Sequence, residues 1–248
     1  MKTRSGKLVN ENQLLSKSAY EKDGTFRSFN EQLKDYAFQE MPSGDMFIVA
    51  ESSKEAGVEE CADLPIVMRQ SIIKKITVAH DFSIGELQQL PTWLKEYPLA
   101  MESLSDIDSL VLIADAKDVH GNDVLIALHL EKEYRQLQIN EISSIYGKRN
   151  LSYLIENTYA AGKNIYVNER TGEWLQHSGL PLPERIVNHL SKEIIALKEG
   201  SFNIENIPSP GLKAKTFEVK NASRSLNDSN AESRFPSAKD QPNGKDAL

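Results

Sequence analysis

The sequence is poor in the residues that covalent and metal crosslinks need. It has one cysteine, Cys61, in 248 residues, which excludes an internal disulfide framework and a cysteine-based structural zinc site. Cys61 lies among acidic residues, which raise the pKa of a thiol, so it is predicted to be a poor nucleophile. The five histidines are far apart and show no metal-ligand spacing, so neither a metal site nor a cofactor is predicted.

Long apolar segments and the familiar catalytic motifs are also missing. No run of about 18 apolar residues is present, so no membrane-spanning helix is predicted. The first 15 residues are basic but contain no apolar segment of the kind that a secretory signal has. Glycine-rich phosphate loops, the H-E-x-x-H zinc motif and the G-x-S-x-G elbow are absent. We therefore expect a cytoplasmic protein with no membrane partner.

Basic residues are outnumbered by acidic ones, 29 to 36, which gives a net charge of −7. This excess counts against a general nucleic-acid binder, because nonspecific affinity comes from neutralising phosphates. It leaves room for a small basic site. The apolar share of 40% is slightly below the usual value of about 45–50%, which indicates polar tails around a smaller core.

The composition divides the chain into three parts. Residues 1–44 are polar with scattered aromatic residues and are predicted to form a mobile or weakly helical arm. Residues 45–200 are predicted to form a single globular domain. Residues 201–248 are rich in Ser, Asn, Lys, Asp and Pro, so we expect a disordered tail that cannot bury enough surface to offset its ordering entropy.

The central part has the pattern of an α+β fold with a small antiparallel meander packed by several helices. Three predicted strands, at residues 110–114, 124–130 and 137–146, are separated by short polar segments. Helical spacing precedes them at residues 69–79, and the Ser83/Glu86 pair forms a capping box at the start of another helix. Further helices are predicted after the meander.

Two of these strands carry side chains suited to phosphate chemistry. Alternation in the second strand places His129 opposite its apolar face, and alternation in the third places Ser144, Tyr146 and Lys148 on one face together with Ile142. Paired as a hairpin, the strands would bring His129 near Ser144 or Tyr146. Metal-independent RNA cleavage needs a base, an acid and a cation for the phosphorane charge, which these side chains can supply. The alternative is an ordinary half-exposed strand with a hydrogen-bonded histidine.

Residues near the predicted turns are candidates for substrate binding. A basic patch is predicted around these turns, for which the alternative is a solvated rim; its members are Lys132, Arg135, Lys148, Arg149 and Lys163. Trp174 is a candidate for stacking on a base, although a tryptophan near a domain end is more often part of the core.

Several segments resemble a phage domain family. The run GDMFIVAESSKEAGV, the H-D-x-S stretch from His80 to Pro91, and the segments ALHL, ISSIYGK, NIYVNERTGEWL and SGLPLP resemble the C-terminal domain of phage MuF-type head proteins, over residues 44–183. That domain also occurs in polyvalent proteins of phages and mobile elements. It is grouped with the barnase–EndoU–colicin–RelE nucleases, which are metal-independent RNases with a small antiparallel sheet.

The resemblance implies a toxin-like endoribonuclease that cleaves tRNA or mRNA through a 2′,3′-cyclic phosphate, with an immunity or antitoxin protein as partner. It carries over His129, Ser144, Tyr146, Gly147 and Lys148, with Trp174 in support. The nuclease group has no fixed catalytic set, so no roles are copied. The long head-protein portion is missing here, so we expect a free-standing product of phage or mobile-element origin.

Three hypotheses therefore remain open. The first is a metal-independent RNase in which His129 is the general acid or base. The second is a non-catalytic module that binds nucleic acid or protein on the same sheet face. The third is an adaptor of mobile-element origin that docks through its arm or tail.

Overall fold

A seven-stranded sheet organises the described part of the chain, residues 11–38 and 41–199 of a computed structural model. The predicted disordered tail lies outside these residues, which all fall in one compact unit. The strands are β1 (Met46–Ala50), β2 (Ile66–Arg69), β3 (Leu99–Glu102), β4 (Ser109–Lys117), β5 (Asp123–Tyr134), β6 (Leu137–Lys148) and β7 (Ile165–Val167).

Helices occupy both faces of the sheet. After a 3-10 helix (Glu11–Leu14) come α1 (Phe29–Ala37), α2 (Gln70–Ala79), α3 (Ile84–Leu87), α4 (Leu90–Glu96), α5 (Leu151–Ala160), α6 (Thr171–Ser178) and α7 (Glu184–Lys198). The Ser83/Glu86 capping box is confirmed at the start of α3. None of the described helices is long and apolar enough to cross a membrane.

The strand order is β1-β2-β6-β5-β4-β3-β7, and every neighbouring pair is antiparallel except β2 and β6. The α+β class and the β4-β5-β6 meander are confirmed, within a sheet that is larger than the small one predicted. Strand β3 was missed because its four residues are too few to show a period-two pattern.

Each face of the sheet has its own apolar core. The back face, which carries Val124, Ile126 and Leu128, is covered by α1–α4. The front face is covered at the β3 and β7 side by α5–α7, against Leu125 and other residues of β3, β4 and β7. At the β1 side it is covered by the N-terminal segment, through Leu15, Ala19 and Tyr20. The middle of the front face lies between these two apolar clusters.

The β5–β6 hairpin extends further than its polar sequence indicates. The second strand of the meander was predicted to end at residue 130, but β5 continues to Tyr134 and the turn consists of Arg135 and Gln136, both with positive φ. A β-bulge at Glu131, whose φ is 50°, lets the strand continue beyond the core. The extension is polar because it is half exposed.

The N-terminal segment protects the outer edge of β1. Its buried Gln32 side chain accepts a hydrogen bond from Ile48 N and donates one to Ile48 O, both at 2.9 Å, as a neighbouring strand would. Phe29 and Leu33 of the same helix are buried in the back core, so this part of the predicted arm is packed tightly. Exposed strand edges favour aggregation, and the Gln32 amide occupies the outward-facing N–H and C=O groups of this edge at Ile48.

Replacing Gln32 with alanine should destabilise the protein strongly. The substitution leaves a buried N–H and a buried C=O of Ile48 without partners, which costs about 2–5 kcal/mol for the two groups. Chemical denaturation would measure this loss. Gln138→Ala removes the same side chain from an exposed position on β6 and should change the free energy of unfolding by less than about 0.5 kcal/mol. Equal stabilities for the two variants would contradict the role assigned to Gln32.

Candidate functional site

Polar and charged side chains occupy the middle of the front face, between the two apolar clusters. We call this group the polar band; its members are Arg69, Ser109, His129, Lys132 and Glu141. Strand register brings them together, because His129 of β5 lies opposite Ser109 of β4 on one side and Glu141 of β6 on the other. Directly opposed residues have Cβ atoms about 5 Å apart.

Glu141 is the buried centre of the polar band, with only 3% of its surface exposed. Arg69 binds it with two nitrogens, Nε at 2.6 Å from Oε1 and Nη2 at 3.4 Å from Oε2, and Lys132 forms an ion pair with Oε2. A buried carboxylate needs such partners to offset its desolvation. The carboxylate therefore fixes two cations whose side chains are themselves 44% and 39% exposed.

His129 has one ring nitrogen engaged by the protein. Its Nδ1 lies 2.8 Å from the Ser109 hydroxyl and 3.1 Å from Oδ2 of Asp106, which is in the loop between β3 and β4. The Asp106 carboxylate and the Ser109 hydroxyl can hold the ring in one orientation. No contact of Nε2 is seen within the described residues, and the side chain is 36% exposed, so Nε2 is the ring atom available to a ligand.

The structure does not bring all four predicted catalytic residues to one place. Ser144 lies on the front face opposite Ala127, which is two residues from His129 along β5. Tyr146 and Lys148 lie opposite Leu125 and Asp123. At about 3.3 Å per residue these pairs are about 13 and 20 Å from His129 along β5. The predicted grouping with Ile142 was also wrong, because a bulge at Ser143 puts Ile142 on the back face.

The predicted basic patch is dispersed as well. Arg135 is in the β5–β6 turn and Arg149 follows the opposite end of β6, which places them about 40 Å apart. Lys163 precedes β7, three strands away from β5. Trp174 is 3% exposed and packs in the front core under α6 and α7, so its indole cannot stack on a base in this structure.

Asp106, Ser109, Arg69 and Glu141 were missed by sequence reasoning. Arg69 precedes Glu141 by 72 positions in the sequence, and the parallel β2–β6 pairing brings the two together. A signal was present at Glu141, which is a charged residue between Ile139 and Ile142 in a segment predicted to be a strand. Within the described residues, no group of three or more His, Cys, Asp and Glu side chains is arranged to hold a metal ion.

Tyr146 belongs to a second group at the other end of β6, near the β4–β5 turn. Its ring centroid is 6.1 Å from that of His80, and His120 Nε2 is 3.5 Å from Oδ2 of Asp81. Burial lowers the pKa of His80 and raises the pKa of Tyr146. His80 Nε2 is buried without a hydrogen-bond partner. The H-D-x-S and ISSIYGK segments are thus neighbours in space, which their separation in sequence does not indicate.

Gly147 is required by a close approach of the β4–β5 turn. A Cβ at this position would lie 1.8 Å from Oδ2 of Asp118. Asp118 cannot easily move away, because its carboxylate accepts hydrogen bonds from the backbone N–H groups of His120 and Asn122 and from the Asn122 side chain, at 2.8–2.9 Å. Gly147 therefore has a packing role that is independent of any chemistry.

Gly147→Ala should destabilise the fold by about 1–3 kcal/mol, because Asp118 must give up its turn hydrogen bonds. In an Asp118→Ala background the same change should cost much less, since the clashing carboxylate is gone. Thermal unfolding of the four proteins of this cycle measures the coupling. Gly172→Ala is the control: its Cβ would meet Ile194 at 3.9 Å, and alanine in helix α6 should be neutral or stabilising. Additive effects in the cycle would contradict the steric explanation.

Comparison with known families identifies the central part of the chain. Residues 71–173 match the model of the phage MuF C-terminal domain. The match covers 103 of the 248 residues, and this part of the chain is similar to that domain family. The match extends from α2 into α6 and includes four of the five polar-band residues as well as the His80/Tyr146 group, whereas Arg69 precedes it. No curated protein and no solved structure shows significant similarity to the chain.

Proposed function

We propose that this domain is a metal-independent endoribonuclease whose site is the polar band. The observation that supports this proposal best is the position of His129, with Asp106 on one side and with Glu141 and its two bound cations on the other. A proton carrier and two cations are thereby placed on a partly open sheet face. These are the groups that cleavage of a phosphodiester by its own 2′-hydroxyl requires.

In the proposed reaction the 2′-oxygen attacks phosphorus, and the bond from phosphorus to the 5′-oxygen breaks. Nε2 of neutral His129 takes the 2′-hydroxyl proton, while Nδ1–H donates to Asp106 or Ser109. The Lys132 ammonium gives a proton to the leaving 5′-oxygen. The products are a 2′,3′-cyclic phosphate and a 5′-hydroxyl.

The remaining residues of the polar band stabilise charge and orientation. The guanidinium of Arg69 balances the charge that develops on the phosphorane oxygens. Glu141 is buried too deeply to contact the substrate, so its role is to position Arg69 and Lys132. Ser144, one pair away on the same face, donates a hydrogen bond to the phosphate. Tyr146 and Lys148 have no part in this site because of their distance along β6.

A second candidate function is a non-catalytic module that binds nucleic acid or protein on the same surface. It is favoured by the pairing of Arg69 and Lys132 with Glu141, which is also how a purely structural charge cluster would be neutralised. In that case the band would bind a phosphate without turnover, and an immunity or antitoxin protein would have no activity to block.

A cleavage assay in EDTA separates the two functions. Purified protein is incubated with total tRNA and with an mRNA, and the fragment ends are identified. We expect discrete fragments ending in 2′,3′-cyclic phosphate, and a rate that falls about 100-fold or more in His129→Ala. Loss of activity is also expected in Lys132→Gln, which keeps a hydrogen-bonding group beside Glu141.

Two matched variants serve as controls. His177 is also half exposed, and its Nε2 lies 3.6 Å from Oδ2 of an aspartate, Asp115, on another part of the domain. The His177→Ala variant should therefore cleave like the wild type. Lys148→Gln should do the same, since Lys148 lies at the other end of β6. Thermal unfolding of each variant excludes a loss of structure. RNA binding without cleavage by the wild type would favour the binding module, and equal losses in Lys132→Gln and Lys148→Gln would contradict the site.

A further inference from the structure

The β5–β6 hairpin carries an aromatic side chain next to the polar band. Tyr134 is the last residue of β5 and lies two residues after Lys132 on the same strand, which puts the two side chains on the front face about 7 Å apart. It is partly buried against the N-terminal apolar cluster, and the rest of the ring is exposed. The polar band is therefore bordered by an aromatic surface on this side.

Two guanidinium groups lie within cation–π distance of this ring. The Cζ atom of Arg135 is 5.1 Å from the ring centroid and that of Arg69 is 6.0 Å from it. The same Arg69 guanidinium binds Glu141, so one side chain joins the aromatic ring to the proposed phosphate position. An aromatic ring with adjacent arginines is the combination on which single-stranded bases stack while their phosphates are neutralised.

The turn that contains Arg135 has a backbone conformation that its two residues do not favour. Arg135 and Gln136 have φ values of 49° and 69°, and a two-residue turn with both residues in this region favours Asn-Gly. A long side chain in the left-handed region costs conformational energy. Here that conformation keeps the exposed Arg135 guanidinium beside the Tyr134 ring. A base can replace the guanidinium on the face of that ring.

We propose that Tyr134 and Arg135 form a base-stacking subsite for single-stranded RNA, on the hairpin side of the scissile phosphate. This proposal deepens the nuclease proposed above and rests on it for the identity of the ligand. A nucleotide bound with its phosphate at Arg69 and Lys132 would have a neighbouring base over Tyr134. The preference for single strands follows, because a paired and stacked base has no free face for the ring.

Binding of an RNA that cannot be cleaved tests this subsite without turnover. The probe is a fluorescein-labelled 2′-O-methyl oligonucleotide, and its Kd is measured by fluorescence anisotropy at fixed salt. Loss of one stacked base should raise the Kd of Tyr134→Leu about 5- to 150-fold. Tyr134→Phe keeps the ring and should bind within about twofold of the wild type. Arg135→Ala should also weaken binding, whereas Arg149→Ala removes an exposed arginine at the far end of β6 and should leave the Kd unchanged.

The outcomes distinguish this proposal from the nuclease proposal. If Tyr134→Leu binds the probe as tightly as the wild type, or if the wild type does not bind it, the subsite is wrong. If Tyr134→Leu fails to fold, as thermal unfolding would show, Arg135→Ala decides the question, because Arg135 is exposed in a turn. Tyr134-dependent binding without RNA cleavage would support the subsite and overturn the nuclease. RNA cleavage by Tyr134→Leu and by Arg135→Ala with the KM of the wild type would support the nuclease and overturn the subsite.

Discussion

The buried charge of Glu141 is the constraint on which the centre of this structure depends. A carboxylate in the middle of a sheet, between two apolar clusters, is stable only where cations reach it. Arg69 arrives from β2 and Lys132 from β5, so three strands of different origin in the sequence are joined at one point. The parallel β2–β6 pair and the bulge at Glu131 both serve this contact, because they put Arg69 and Lys132 on the same face as Glu141.

Strand register then determines the composition of the site. A shift of one residue moves every side chain of a strand to the opposite face. Bulges at Ser143 and Glu131 make such shifts locally, so that Ser144 and Lys132 lie on the front face with His129 while Ile142 joins the back core. The Glu131 bulge therefore adds Lys132 to the polar band, and the Ser143 bulge places Ser144 beside it.

The sequence predicted what depends on local patterns. The meander, the Ser83 capping box and the presence of helices after the meander follow from apolar periodicity and turn residues within a few positions. The predicted grouping of side chains holds only in part, since His129 and Ser144 are close and Tyr146 and Lys148 are not. Strict alternation could not show the Ser143 bulge, and no local signal pairs Arg69 with Glu141 across 72 positions.

The net charge of −7 limits the long-range attraction that this protein can exert on a polyanion. Broad electrostatic attraction would favour any polyanion, and an acidic protein lacks it. The polar band has two cations, Arg69 and Lys132, and both are already paired with Glu141. Under the proposed function, affinity for RNA would come from short-range contacts: a phosphate held at Arg69 and Lys132, and a base against Tyr134. Such contacts cover only a few nucleotides, so recognition should depend on local single-stranded structure more than on the length of the RNA, and it should depend only weakly on salt.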